Sequence, residues 1–183
     1  MTNRQPALDA AEREYLLLLA RMQLSSNLAG KVDLSGVVQQ TLWEAVETSP
    51  PDDGERLLWL RRLLTNNLRD EIRKVTAQRR DVRRETSLEL TMDLSSSRVE
   101  SFLEHQSPSP SQKVIRADEL TRLALALSEL AEDQRTAIEL HHLQGLPLAE
   151  VAQQIGRTKE AAASLLYRAI KRLRQSLDIE RGE

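Results

Sequence analysis

The stretch 144–174 constrains the fold more than any other part of this sequence. Its glycines, Gly145 and Gly156, each follow a run of apolar residues at helical spacing, and glycine ends helices because it tolerates the left-handed conformation that closes them. Pro147 suits the start of the helix between them, because its missing N–H would have no partner there. Thr158 has a side chain suited to capping the next helix. The stretch therefore predicts two helices joined by a tight turn.

The second of these helices has one apolar and one polar face. Its apolar stripe consists of Ala162, Leu165, Leu166, Ala169, Leu173 and Leu177. At about 100° per residue, Glu160, Ser164, Tyr167 and Lys171 point the opposite way, flanked by Ala163, Arg168, Arg174 and Gln175. A short helix, a glycine turn and a second helix with a basic face are typical of a helix-turn-helix DNA reader. The alternative is an ordinary amphipathic helix whose charged face is solvated.

The charges of the chain are unevenly distributed. The formal net charge of −2 by itself argues against nucleic-acid binding. However, residues 56–84 carry 10 Lys or Arg against 3 Asp or Glu, and residues 157–177 carry 6 against 1. Because salt screens charges over a Debye length of about 8–10 Å, phosphate attraction depends on such local blocks rather than on the total. The two basic blocks favour a protein that contacts DNA at two separate points.

The composition favours an all-helical protein that works in the cytoplasm. Of the 183 residues, 40% are hydrophobic, mainly Leu and Ala, and only 3% are aromatic. The absence of cysteine excludes disulfides and thiolate zinc sites and makes the cytosol the default compartment. The apolar run 15–20 is too short to cross a bilayer, and residues 1–14 lack the pattern of a signal peptide.

Helical spacing recurs along most of the chain, and no run alternates with period two, so the sequence predicts no sheet. The predicted helices cover about residues 8–28, 34–48, 55 to the arginine-rich run 79–84, 113–130, 132–144, 147–155 and 158–177. SPPDDG at 49–54 predicts a turn. Residues 86–112 lose apolar periodicity and gain Ser and Pro, which predicts a polar linker with room for a short ordered piece around 99–103.

The predicted third helix also has two distinct faces. Its apolar stripe consists of Leu57, Leu60, Leu64, Leu68, Ile72 and Val75. The opposite face holds Trp59, Arg62, Asn66, Arg69, Asp70, Arg73, Ala77, Arg80 and Arg84, with Lys74, Arg79 and Arg83 at its margins. Arginines beside an exposed asparagine can contact phosphates and base edges. Trp59 could stack on an unpaired base, but packing on a neighbouring helix is the favoured interpretation.

Three segments resemble a known family. Residues 31–47, KVDLSGVVQQTLWEAVE, resemble the region 2 signature of extracytoplasmic-function (ECF) sigma factors of bacterial RNA polymerase, Asp-x-Ser-Asp-Leu-Val-Gln-x-Thr-x-x-x-Ala. The matching residues are Asp33, Ser35, Val38, Gln39, Thr41 and Ala45. Residues 57–85 resemble the rest of region 2, which binds the −10 promoter element, and residues 127–177 resemble region 4, whose recognition helix binds the −35 element. The likeness covers nearly the whole chain.

The resemblance implies an all-α protein with a region 2-like domain at 1–85, a linker at 86–112 and a region 4-like helix-turn-helix domain at 113–183. The implied −10 contacts are Arg62, Asn66, Arg69, Asp70, Arg73, Lys74 and Arg80. The implied −35 contacts are Arg157, Thr158, Lys159, Glu160, Ser164, Tyr167, Arg168 and Lys171. The implied contacts with core RNA polymerase are Asp33, Gln39, Gln40, Trp43 and Glu44. In the family, region 2 docks on the β′ clamp helices and region 4 on the β flap, and an anti-sigma factor sequesters many members.

The chain departs from the family pattern at four positions. Gly36 replaces the usual Asp of the signature, which removes one charge from the expected polymerase contact. Pro147 stands where the family often has a Ser cap. Ala163 and Leu165 occupy positions that are commonly Lys and Arg. The −35 contacts are therefore expected to depend more on Arg157, Lys159, Ser164, Tyr167 and Arg168.

The sequence contains no pattern that indicates an enzyme, a cofactor or a metal site. His141 and His142 are adjacent on a helix, about 100° apart, and suit the helix C-terminus better than a metal ion. Two alternatives to a sigma factor stay open. One is a stand-alone helix-turn-helix regulator with an N-terminal regulatory domain. The other is a helical adaptor that binds polymerase or a partner without touching DNA.

Overall fold

The computed structural model of this chain describes residues 10–24, 28, 30–48, 55–76, 83–106 and 117–180, without the side chains of 83–87 and 178–180. The helices are α1 (Ala10–Gln23), α2 (Leu34–Glu47), α3 (Arg56–Val75), α4 (Arg83–Gln106), α5 (Ala117–Ser128), α6 (Glu132–Ile138), α7 (Leu148–Gln154) and α8 (Lys159–Glu180). A π-helical turn, Glu139–Leu143, directly continues α6. Within the described ranges there is no strand, which confirms the predicted all-α class.

The chain divides into two compact units, Met1–Ser96 and Ser97–Glu183. The division falls inside α4, so this helix contributes its first part to one unit and its second part to the other.

Helix α4 is the main departure from the sequence-based expectation. The predicted linker 86–112 is wrong for residues 86–106, which are helical, and residues 107–112 lie outside the described residues. The buried side chains of α4 are Leu88, Met92, Ser95, Ser96, Val99, Phe102 and Leu103. Their spacing is helical, but the two serines in the middle of the stripe hide the period from a hydrophobicity pattern. The serines are tolerated there because Ser95 and Ser96 hydrogen-bond to Gln23 and Tyr15, at 2.9 and 3.2 Å.

The core of the first unit is built mainly from α1, α2 and α3. Its fully buried side chains include Tyr15, Leu16, Leu18, Leu19, Val38, Leu60, Leu64 and Leu68. Burying one leucine stabilises the fold by about 1.5–3 kcal/mol relative to leaving it exposed. The guanidinium of Arg56 donates to both carboxylate oxygens of Glu12, at 2.5 and 2.9 Å, and so ties the start of α3 to α1. Helix α3 ends at Val75, short of the predicted run 79–84, and residues 77–82 lie outside the described residues.

The second unit contains the predicted helix-turn-helix. Helix α8 contacts α5, α6 and α7. All six members of its predicted stripe are buried: Ala162, Leu165, Leu166, Ala169, Leu173 and Leu177. Gly145 (φ 77°) and Gly156 (φ 66°) both adopt the left-handed conformation that the sequence assigned to them. The prediction of a short helix, a tight turn and a long amphipathic helix is confirmed.

Candidate nucleic-acid interface

Local hydrogen bonds fix the turn between α7 and α8. The backbone N–H of Arg157 donates to the carbonyl of Ala152 at 2.9 Å across the left-handed Gly156, which is the pattern of a glycine-closed helix end. The hydroxyl of Thr158 accepts from the N–H of Ala161 at 3.2 Å, so Thr158 caps α8 as predicted. Pro147 lies immediately before the first helical residue of α7. The start of the recognition helix is therefore set by residues within the motif itself.

The polar face of α8 is open to solvent. Its exposed side chains are Lys159, Glu160, Ala163, Ser164, Tyr167, Arg168 and Lys171. Tyr167 is 73% exposed, so its ring is covered by little of the protein itself. Because the N-terminal residues of a recognition helix are those that meet base edges, this face has the layout of a DNA-reading surface. The predicted −35 residues of α8 all lie on accessible positions.

Arg157 precedes the recognition helix and is held by a carboxylate from another helix. Its Nη2 lies 2.6 Å from Oδ2 of Asp133, in the first turn of α6. The two side chains are 43% and 38% exposed, so Asp133 orients the guanidinium in the free protein but holds it only weakly. The sequence reasoning missed Asp133, because its proximity to Arg157 follows from packing and not from spacing in the sequence.

The two positions of α8 that depart from the family pattern differ in burial. Leu165 is 4% exposed and belongs to the core between α8 and its neighbours, so it cannot contact DNA. Ala163 is exposed and lies beside Ser164 on the polar face. A cation at position 163 would face solvent, whereas one at position 165 would be buried.

The polar face of α3 is exposed at most of its predicted −10 positions. Arg62, Asn66, Asp70, Arg73 and Lys74 are exposed, and Arg80 lies outside the described residues. Asp70 and Arg73 lie 3.6 Å apart, and Lys74 lies 3.1 Å from Glu71. Exposed pairs of this kind contribute about 0–1 kcal/mol, so they give way readily to a phosphate. Trp59 is half-buried, in line with the favoured packing interpretation.

Arg69 does not share the exposure of its neighbours. Its side chain is 20% exposed, and its Nη2 donates to Oε1 of Glu89 on α4 at 2.8 Å. Its Nη1 donates to Oδ1 of Asn66 at 3.2 Å. The expectation that Arg69 lies on the open face is therefore wrong, because α4 supplies a carboxylate at a place where a linker was predicted.

The outer face of α2 combines exposed polar and apolar side chains. Asp33, Gln39, Gln40 and Trp43 are exposed, and Trp43 is exposed by 67%. Its indole N–H donates to Oε1 of Glu47 at 2.9 Å. Glu44 is half-buried and accepts from Asn67 at 3.0 Å, so it links α2 to α3. Among the expected polymerase contacts, Glu44 thus also has a structural role inside this unit.

Gly36 lies against the N-cap of α2. Oδ1 of Asp33 accepts from the N–H of Gly36 at 3.0 Å, which makes Asp33 the cap. A Cβ at position 36 would lie 2.5 Å from Oδ2 of Asp33. The glycine thus accommodates this position of the capping carboxylate, which a side chain would displace.

The two adjacent histidines lie in the π-helical turn. Nδ1 of His141 lies 2.8 Å from the carbonyl oxygen of Leu146, and the ring of His142 lies 5.5 Å from that of Phe102. Partial burial, with a smaller contribution from His141, lowers the pKa of His142. Within the described residues, no group of three or more side chains has the composition and placement of a metal site.

The part of the chain that contains α7 and the start of α8 matches a protein family. Residues 120–173 match the model of sigma-70, region 4. The matched segment runs from α5 into α8 and contains α7, the glycine turn and most of α8. The match supports a sigma-70-type transcription factor that takes part in recognition of the −35 promoter element with RNA polymerase.

No curated protein and no solved structure matches this chain. None of the helices in the described part of the chain has the length and apolar character needed to span a membrane.

Proposed function

We propose that this chain is an ECF-type sigma factor, a dissociable subunit that directs bacterial RNA polymerase to promoters for transcription initiation. The observation that carries the proposal is the match of residues 120–173 to sigma-70, region 4. Most of α8, with its buried apolar stripe and exposed polar face, lies in the matched segment. The role needs no catalytic residue or cofactor. It places the protein in the cytoplasm, where core polymerase works.

In this proposal α8 reads the −35 element. Lys159, Ser164 and Tyr167 are exposed in its first turns, which approach base edges in a helix-turn-helix complex. Arg168 and Lys171 continue the same face and suit phosphates. Arg157, oriented by Asp133, adds a cation next to the helix N-terminus.

The first unit reads the −10 element through α3. Arg62, Arg73 and Lys74 provide exposed cations along one helix, and their surface ion pairs are weak enough to exchange for phosphates. Arg80, in the run that follows α3, extends the basic block by sequence. Neither surface has to bind tightly alone, because tethering both through core polymerase raises the effective concentration of the second contact.

Core polymerase is proposed to bind the outer face of α2. Trp43 and Val46 are exposed by 67% and 47%, with Gln39 and Gln40 beside them. Large aromatic side chains are frequent anchors of protein interfaces. By family resemblance, the partner of this face is the pair of β′ clamp helices, and region 4 docks on the β flap. An anti-sigma factor that covered the same face would keep the protein from polymerase.

Run-off transcription with core polymerase on the promoter upstream of its own gene tests the proposal. We expect one start site that depends on the added protein and is lost when either the −10 or the −35 sequence is scrambled. Tight binding to a duplex site without polymerase would instead identify a stand-alone regulator. Full activity after Arg73, Arg80, Arg157 and Arg168 are all replaced by Ala would identify an adaptor that does not touch DNA.

A further inference from the structure

A continuous set of polar contacts runs from α4 to the exposed face of α3. The carboxylate of Glu89 accepts from Nη2 of Arg69 at 2.8 Å, and Nη1 of the same guanidinium donates to Oδ1 of Asn66 at 3.2 Å. The Glu89 side chain is 66% exposed, whereas that of Arg69 is 20% exposed. The guanidinium is thus held between two acceptors and largely withdrawn from solvent.

These contacts decide which way the Asn66 amide faces. An arginine side chain can only donate hydrogen bonds, so the atom of Asn66 bonded to Arg69 must be its carbonyl oxygen. The NH₂ group of Asn66 therefore points away from Arg69. Asn66 is exposed, and no acceptor among the described residues is bonded to this NH₂ group.

Resting on the proposed −10 role of α3, we propose that Asn66 reads one promoter base and that Arg69 and Glu89 are positioning residues that hold its amide with the donor outward. The base would present a hydrogen-bond acceptor, a ring nitrogen or a carbonyl oxygen. An amide that rotates exchanges donor and acceptor and discriminates little between bases. Fixing it before binding removes that ambiguity.

A matched control lies in the same cleft. Asp93 is one helical turn beyond Glu89 on α4, is exposed, and lines the cleft that Glu89, Asn66 and Arg62 also line. Asp93→Ala removes the same charge from the same cleft as Glu89→Ala. It leaves the contacts of Arg69 in place.

The first experiment follows the side-chain amide of Asn66 by NMR relaxation in the free, full-length protein. We expect an order parameter near that of rigid backbone, about 0.85, in the wild type and in Asp93→Ala. It should fall below about 0.6 in Glu89→Ala and in Arg69→Met, which keeps the aliphatic stem but removes the guanidinium. An amide that stays ordered in both variants would overturn the positioning role, and this measurement needs neither polymerase nor DNA.

The second experiment measures transcription by the holoenzyme from promoters carrying each of the four bases at each −10 position. We expect one position at which the wild type prefers a base by about tenfold, with that preference reduced to about twofold or less in Asn66→Ala, Glu89→Ala and Arg69→Met. Asp93→Ala should keep it. Asn66→Asp, which retains an acceptor for Arg69 but loses the outward donor, should change the preferred base.

Three results would contradict the inference in different ways. Equal stimulation of all promoters by Glu89→Ala would mean that Glu89 blocks DNA and positions nothing. The absence of any wild-type transcript would overturn the proposed function and the base-reading role with it. An Asn66 amide that stays ordered in both Glu89→Ala and Arg69→Met would overturn the positioning role even when transcripts form.

Discussion

The candidate DNA surfaces on α3 and α8 differ in what determines them. The exposed face of α8 is determined by features that are close together in the sequence: a capping threonine, a left-handed glycine and an apolar stripe. These features leave Arg168 and Lys171 exposed. On α3, Arg69 is withdrawn from solvent by Glu89 of another helix. A surface set by local chemistry can be recognised from the sequence, whereas one set by tertiary packing needs the partner helix to be known.

The largest expected effect comes from introducing family-typical cations into α8. Leu165→Arg should destabilise the second unit by about 3–5 kcal/mol, because it removes a leucine that is 4% exposed and forces a charge into the core. Urea unfolding measured on the full chain would give the change in free energy. Ala163→Lys, two residues away on the exposed face, is the matched control.

We expect Ala163→Lys to leave the unfolding free energy within about 0.5 kcal/mol of the wild type, as for other surface substitutions. It should also strengthen binding of the −35 DNA. If both variants unfolded alike, the division of α8 into a core stripe and a DNA face would be wrong.

The next effect separates the two surfaces by function. Arg168→Ala with Lys171→Ala should weaken holoenzyme binding and lower the salt slope of log K by about 2, since each lost phosphate contact removes about 1. Arg62→Ala with Arg73→Ala should do the same from α3. The α8 variant should become insensitive to the −35 sequence while still requiring the −10 sequence, and the α3 variant should behave in the opposite way.

Transcription assays on promoters with either the −10 or the −35 element scrambled measure which element each variant still requires. Arg98→Ala with Arg122→Ala, on α4 and α5, removes two exposed cations outside both proposed surfaces and serves as the control. Loss of both dependences in one double variant would show that the two surfaces are not assigned to separate elements.

The contrast between α4 and α8 shows how far the sequence could go. The stripe of α8 is purely apolar and flanked by glycine and threonine signals, so its extent, cap and buried face followed from the sequence. The stripe of α4 has Ser95 and Ser96 at its centre, and these become tolerable only when Tyr15 and Gln23 supply hydrogen bonds from α1. Because those partners are more than seventy positions away, Glu89 and its effect on Arg69 could not be anticipated.

A smaller effect is expected when one glycine in each unit is replaced by alanine. Gly156→Ala should destabilise the protein by about 1–2 kcal/mol, because position 156 has φ 66° and a Cβ is strained there although no atom lies within 4 Å of it. Gly36→Ala lies in a helix, where alanine gains about 1 kcal/mol in propensity but displaces the Asp33 cap, a loss of about 0.5–2 kcal/mol. Urea unfolding should therefore show a clear loss for Gly156→Ala and a change near zero for Gly36→Ala.

The smallest effect concerns pH and only the second unit. The pKa of His142 is lowered from 6.5 in the folded protein, mainly by burial and then by His141. Between the two pKa values the unfolded chain binds more protons, so this contribution to stability is complete above pH 6.5 and is lost as the pH falls below it. The Tm should therefore fall on acidification from pH 7.5 to pH 5.5, and His142→Gln should reduce that fall. An unchanged pH dependence in His142→Gln would mean that the ring contacts with Phe102 and His141 leave its protonation equilibrium the same in the folded and unfolded chain.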